Sequence, residues 1–216
     1  MRRSLLIAIA VIVLLLVGAD LVLRSVAERW VGQRLKQQFS LTEPPSVSLS
    51  GFPFLLHLAE GRFSTATVTG SGPQTDAISF ESATLTLSDL SFSSGALLSG
   101  KSSTIRAAAG SGTATLTSDE LAAALQARGV DITVTLQNSV VRVHSSALKK
   151  DITADLSLSS SGMTLVARST DPKLPLTVTV PLPAFLAGLH YTTVTVTGST
   201  VVLEFRLDHP SIGVSR

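Results

Sequence analysis

Apolar and polar side chains alternate with a period of two along most of the chain from Val47 onward. Val, Leu and Ile alternate mainly with Ser and Thr in the segments 83–87, 130–137, 152–158, 176–180, 194–197 and 201–208. In an extended strand this period places all the apolar side chains on one face. Antiparallel sheets with one solvated face show such a pattern. The sequence therefore predicts a mainly β (α+β) domain of about nine or ten strands with few helices.

Composition narrows the possible partners. Hydrophobic residues are 44% of the 216 residues and charged residues 15%, so the chain can bury enough apolar surface to fold. Arg2 and Arg3 account for the net charge of +2, and no stripe of Lys and Arg follows a strand or helix. Nucleic acid is therefore not expected as a partner. The absence of Cys excludes disulfides and thiolate metal sites.

The N-terminus has the layout of a secretory signal, because Arg2 and Arg3 precede an unbroken apolar run from Leu5 to Ala19. Two interpretations remain open. Signal peptidase could cut after Ala19, or residues 1–23 could stay as a membrane anchor. In both, we expect export and a single β-rich domain over residues 24–216. Basic residues follow the run, although positive flanks usually stay cytoplasmic.

Three helices are predicted from spacing and capping. Val22, Val26 and Trp30 recur four residues apart within 21–39, so this segment is expected to be a helix that lies on the membrane surface or packs on the domain. A capping box, with Thr117 as the cap and Glu120 three residues later, predicts a helix that ends near Gly129. A shorter helix is predicted from Pro183 to Leu189, with Pro in its first turn.

So many one-sided strands carry more apolar area than two short helices can cover. The sheet can close on itself as a sandwich or barrel, or it can curl around a helix. It can also leave part of its face open to an apolar partner, because large exposed apolar patches usually mark binding sites. Periodicity alone does not choose among the three.

No catalytic or metal-binding pattern accompanies the strands. The four His residues are scattered, and the acidic residues are spread singly over strands and turns. Gly70-Ser71-Gly72 and Gly110-Ser111-Gly112 are interpreted as turns. We therefore expect neither enzymatic activity nor a cofactor nor a metal.

Segment 51–58, Gly-Phe-Pro-Phe-Leu-Leu-His-Leu, is the most informative stretch of the chain. Pro53 cannot donate a ladder hydrogen bond, so the segment is predicted to be an edge, a bulge or a loop. An apolar loop of this kind can insert into a bilayer interface, form the opening of a cavity, or pack as a corner of the core. Segments 95–100 and 182–189 allow the same interpretations.

These elements resemble a known family. Val47-x-Leu49 leads into Gly51-Phe52-Pro53-Phe54 and then Gly61, as in the LmeA family of actinobacterial cell-envelope proteins. The helix start at 119–121, the segment 182–189 and the strand 193–197 fit the same pattern. The Gly-Phe-Pro-Phe element is the most specific part, and the resemblance covers most of the chain.

The resemblance implies a curved antiparallel sheet wrapped around a helix, similar to tubular lipid-binding proteins. It also implies a phospholipid ligand, anionic and of the phosphatidylinositol type, at the periplasmic or outer face of the membrane. A role in lipoglycan maturation is linked to family members. No active site is implied.

Two functions follow as hypotheses. In the first, the protein binds or transfers phospholipid, with acyl chains held in an apolar groove. In the second, it is a non-catalytic scaffold module of the cell envelope with a dry core. The residues predicted to contact lipid are Phe52, Phe54, Leu55, Leu56, Leu97, Leu98, Leu121, Leu125, Phe185 and Leu186.

Overall fold

The computed structural model of the protein contains two antiparallel sheets and a long N-terminal helix. It describes residues 2–39, 41–72, 78–99, 103–127, 132–137, 140–145, 150–173, 175 and 177–214. The helices are α1 (Arg2–Gln38), α2 (Phe54–Glu60), α3 (Ser94–Leu98) and α4 (Ser118–Gln126). The strands are β1 (Ser46–Leu49), β2 (Arg62–Gly70), β3 (Ser82–Ser91), β4 (Ser103–Arg106), β5 (Ala109–Thr117), β6 (Ile132–Gln137), β7 (Val140–Ser145), β8 (Lys150–Leu158), β9 (Thr164–Ser169), β10 (Thr177–Pro181), β11 (Leu189–Thr197), β12 (Thr200–Asp208) and β13 (Ser211–Val214).

The first sheet has eight strands, in the order β1-β2-β3-β5-β12-β11, with β4 paired to β3 and to β13. Its register aligns apolar residues in rows across the strands. One row of successive partners is Val47, Val68, Leu85, Gly112, Phe205 and Tyr191. Because partners in a row point to the same side, the sheet presents one broad apolar face.

The second sheet has five strands in the order β10-β9-β8-β7-β6. Its apolar residues, those of α4 and those of β5, β12 and β11 form one buried core. Beside Leu125 and Ile132 this packed core contains a small void of about 20 Å³. The second sheet therefore covers only one end of the broad face of the first.

The predicted strand segments are confirmed where they are described, and so is α4, although the described residues form thirteen strands and not nine or ten. The Oγ1 of Thr117 accepts a hydrogen bond from the N–H of Glu120 at 3.2 Å, and a Glu120 carboxylate oxygen accepts from the N–H of Thr117 at 2.8 Å. The expected end near Gly129 lies outside the described residues. Neither sheet is strongly curled, so a sheet wrapped around a helix is not shown.

The helix predicted from Pro183 to Leu189 was wrong. Residues 182–188 form an irregular loop between β10 and β11. The loop is held by tertiary hydrogen bonds, because the N–H of Leu182 donates to Met163 O at 2.9 Å and the Tyr191 hydroxyl donates to Pro183 O at 3.0 Å. These contacts override the local helical preference. The desolvation that accompanies burial raises the pKa of the Tyr191 phenol.

The turn predicted at Gly110-Ser111-Gly112 was also wrong, since these residues lie inside β5. Gly112 pairs with Leu85 on one side and Phe205 on the other. A Cβ atom on Gly112 would lie 2.1 Å from Thr84 O and 2.5 Å from the Phe205 ring. The glycine therefore allows the neighbouring strand and the ring to approach closely, and it does not mark a turn.

The first two residues of the predicted apolar stripe of α1, Val22 and Val26, do not pack on the domain. Val22 is 63% exposed and Val26 56%, and Leu14, Leu15, Leu16, Leu21 and Leu23 are exposed as well. The predicted helix 21–39 is therefore the second half of a longer helix that turns another face inward. In the part of the chain that is described, no helix combines the length and apolarity needed to cross a membrane.

The inward face of α1 is attached by carboxylates. Asp20, 4% exposed, accepts hydrogen bonds at 2.8 Å from the N–H groups of both Phe54 and Leu55. Its carboxylate supplies the cap that Pro53 cannot give to α2. Two helical turns further along α1, the Glu28 carboxylate accepts a hydrogen bond from the N–H of Leu49 at 2.9 Å. At Gly32, where a Cβ would lie 2.6 Å from Pro45 O, the helix approaches the backbone directly.

We expect Asp20→Asn to lower the free energy of unfolding by about 2 kcal/mol, because one charge-assisted hydrogen bond to α2 is lost. Urea denaturation measures this change, and hydrogen exchange of the Phe54 and Leu55 amides should accelerate. Asp155→Asn is the control, since Asp155 is exposed on β8. Equal stability of the two variants would contradict the role assigned to Asp20.

Candidate functional site

A cavity of about 720 Å³ lies between α1 and the part of the first sheet that the second sheet leaves uncovered. Strands β1, β2 and β3 line one side of it, and α1 and α2 line the other. The volume falls within the range of about 300–1,000 Å³ that is usual for small-molecule sites. The void beside Leu125 is far too small to compare with it.

The sheet side of the cavity follows from the register. Val47, Val68 and Leu85 belong to one row of partners and line the cavity together. Leu49, Ala66 and Leu87 form the next row and line it as well. The alternation of apolar and polar residues that predicted these strands thus places some of their apolar side chains along the cavity and others against packed protein.

One end of the cavity, called the aromatic end, is lined by Phe54, Phe63 and Phe92. The rings of Phe54 and Phe63 stack with centroids 5.4 Å apart, and those of Phe63 and Phe92 stack at 5.7 Å. Phe54 is only 1% exposed and Phe63 5%. The hydrogen bond from the Phe54 N–H to Asp20 fixes the start of α2 at this end.

The helix side is lined by Ala27, Val31 and Leu35 of α1 and by Phe39 just after its end, at a spacing of four residues. This spacing places them along one face of the helix. Trp30 and Arg34 lie beside that face and line the cavity too. The Arg34 guanidinium stands over the Trp30 ring, 5.4 Å from its centroid.

The other end of the cavity, called the open end, contains its polar lining. Trp30, Gln37, Gln38 and Ser71 are exposed there while lining the cavity. From Asp20 to Arg34, α1 rises by about 21 Å, so the open and aromatic ends are well separated. The site is thus an elongated apolar space with a polar opening.

The geometry offers little for covalent chemistry. Among the described residues, no group of three or more His, Cys, Asp or Glu side chains could hold a metal. No Asp, Glu or His residue lines the cavity in the described part of the chain. What the arrangement can do is exclude water from a long apolar molecule and meet a polar group at one end.

The structure brings three of the predicted site residues to the cavity: Phe54, Phe185 and Leu186. Phe185 belongs to the loop 182–188, and its ring meets that of Phe205 edge to face at 5.5 Å. The loop therefore joins the packed core to the cavity. Both Phe185 and Leu186 are half-buried.

The other predicted residues lie elsewhere. Leu121 and Leu125 are 2% exposed on α4 and belong to the packed core. Phe52, Leu55 and Leu56 are exposed at the start of α2 and do not line the cavity. The side chains of Leu97 and Leu98 lie outside the described residues.

Sequence reasoning missed most of the lining, including Trp30, Arg34, Leu58, Phe63 and Phe92. A signal for the helix side was present, because Ala27, Val31, Leu35 and Phe39 repeat at the helical spacing of four. That repeat lies beside the stripe of Val22, Val26 and Trp30, which has the same spacing and was the basis of the helix prediction. Nothing in the local sequence ranks one stripe above the other.

Comparison with known proteins gives one family match. The profile of the LmeA-like phospholipid-binding family matches residues 18–206, which include α1 from Gly18 onward and nearly all the strands. A search of curated proteins gives no match. A search of solved structures gives none either. The match spans far more than half of the sequence, so the chain belongs to the LmeA-like phospholipid-binding family.

Proposed function

We propose that the protein binds a phospholipid with its acyl chains in the cavity between α1 and the first sheet. The cavity is the observation that carries the proposal, because its lining is almost wholly apolar and its volume is about 720 Å³. Each acyl methylene moved from water into such a space contributes about 0.8 kcal/mol. Exchange of the lipid with a membrane would make the protein a transfer protein.

The protein acts by binding and not by catalysis. The family is described as phospholipid-binding, and the lining of the cavity lacks a general base or nucleophile pair in the described residues. An apolar ligand held without reacting groups beside it is stored or carried unchanged. This is why we assign no enzymatic activity.

The protein works at the surface of a membrane, after export to the periplasmic or outer face. The charged start and apolar run of the sequence support export. Phe52 is 63% exposed and Leu56 52%, beside the point where Asp20 holds α2 to α1. Cleavage before Asp20 would leave this carboxylate in the chain, so the attachment survives either fate of the N-terminal run.

The alternative function, a scaffold module with a dry core, is favoured only by the packing between the two sheets. It leaves the large cavity beside α1 unexplained, since empty apolar space forfeits contacts that stabilise a fold. The role in lipoglycan maturation rests on the family resemblance, and no residue of this chain carries it.

The first test is the lipid content of the protein. We expect phospholipid to be extracted from the purified full chain, and Val68→Trp to reduce its amount more than tenfold. If the Trp ring displaces two acyl methylenes from the cavity, the free energy of lipid binding falls by about 1.6 kcal/mol. Native mass spectrometry and lipid extraction measure the occupancy.

Val202→Trp is the matched control, because Val202 lies on the opposite face of the first sheet, between Val201 and Leu203. Its lipid content should equal that of the wild type. A folded wild-type protein without any lipid, or equal loss in both variants, would refute binding in the cavity.

The second test concerns the membrane surface. Phe52→Ser combined with Leu56→Ser should lower binding to anionic vesicles about tenfold or more, because two exposed apolar side chains no longer insert. Co-sedimentation measures the partitioning. Folding should be retained in this variant.

Phe54→Ser gives the contrast, since Phe54 is buried at the aromatic end. We expect it to cost about 3–5 kcal/mol of stability, as large-to-small changes of buried Phe do. If the Phe52/Leu56 variant bound vesicles as the wild type does, the membrane contact would lie elsewhere on the chain.

A further inference from the structure

We propose that Arg34 binds the anionic headgroup of the phospholipid at the open end, so that the lipid lies with its tails toward Phe54, Phe63 and Phe92. The inference rests on the proposed function and adds to it an orientation and a selectivity for charge. An anionic phospholipid is already implied by the family resemblance, and what is new here is the residue that would recognise its charge.

The first argument is charge. Among the described residues that line the cavity, Arg34 is the one that carries a charge. Its guanidinium has no carboxylate within ion-pairing distance in the described part of the chain, unlike Arg24, which is paired with Glu28 at 2.9 Å. An unpaired cation at the edge of an apolar space favours an anion there, because a phosphate can accept two parallel hydrogen bonds from a guanidinium.

The second argument is position. Trp30, Gln37, Gln38 and Ser71 line the cavity near Arg34 and are exposed to solvent, so a hydrated headgroup fits at this end. Side-chain amides and a hydroxyl can bond to phosphate or to headgroup hydroxyls. The described residues of the aromatic end are aromatic and aliphatic side chains that are buried or half-buried, and these favour the tails.

The third argument is preorganisation. The Trp30 ring supports the guanidinium at 5.4 Å from its centroid, which restricts the orientation of a long side chain before the ligand arrives. Less conformational freedom is then lost on binding. Lys36, two residues further along α1, does not line the cavity although it carries the same charge.

The experiment uses the full chain in detergent micelles that contain equal amounts of phosphatidylglycerol and phosphatidylcholine. Native mass spectrometry measures the ratio of the two lipids bound to the protein. We compare the wild type with Arg34→Gln, Arg34→Lys and the matched control Lys36→Gln. Urea denaturation verifies that each variant folds.

We expect the wild type to favour phosphatidylglycerol and Arg34→Gln to lose roughly tenfold in this ratio while still binding lipid. Arg34→Lys should retain part of the preference, and Lys36→Gln all of it. An unchanged ratio in Arg34→Gln, or an equal loss in Lys36→Gln, would overturn the assignment while leaving lipid binding intact. Absence of bound lipid from every protein, the wild type included, would overturn the proposed function and this inference with it.

Orientation is tested with Trp30, because it is the one Trp of the chain. Phospholipids brominated near the headgroup should quench its fluorescence more than phospholipids brominated at the tail ends. Stronger quenching by the terminal bromines would place the tails at the open end and refute the orientation.

Discussion

Helix α1 is attached to the domain through carboxylates that accept backbone hydrogen bonds, and the rest of the site depends on this attachment. Asp20 bonds to the first N–H groups of α2, and Glu28 bonds to the last residue of β1. Two polar contacts and the close approach at Gly32 position the helix along one edge of the sheet. The helix can therefore lie over an apolar face without filling the space beneath it.

The cavity exists because the two sheets differ in size. The first sheet has eight strands and the second has five. The second sheet and α4 therefore pack mainly on β5, β12 and β11, with Ala83 and Leu85 of β3 at the margin of this core. The remaining strands keep their apolar residues, and α1 covers them at a distance. A small sandwich core and a cavity of about 720 Å³ thus share one face of one sheet, which combines two of the solutions open to a one-sided sheet.

Local patterns predicted the strands and α4 because the forces that form them act over a few residues, as the reciprocal bonds of Thr117 and Glu120 illustrate. They could not predict α2, whose cap comes from Asp20, 34 residues earlier. They misassigned Gly112, because glycine marks both turns and places where a ring needs room. Phe54 and Phe185 were predicted as lipid contacts because apolar segments beside Gly and Pro are conspicuous. Arg34 was not predicted as a lipid contact, because its place in the lining of the cavity depends on which face α1 turns toward the sheet.

The central claim is that acyl chains occupy the space between α1 and strands β1–β3. Photo-crosslinking tests it most directly, with a phospholipid that carries a diazirine at the end of an acyl chain, followed by mass spectrometry of the labelled peptides. The account predicts labelling of the cavity-lining residues of the aromatic end, which are Phe54, Leu58, Phe63, Leu90 and Phe92. Labelling confined to the second sheet, or to the exposed residues 52, 55 and 56, would contradict it.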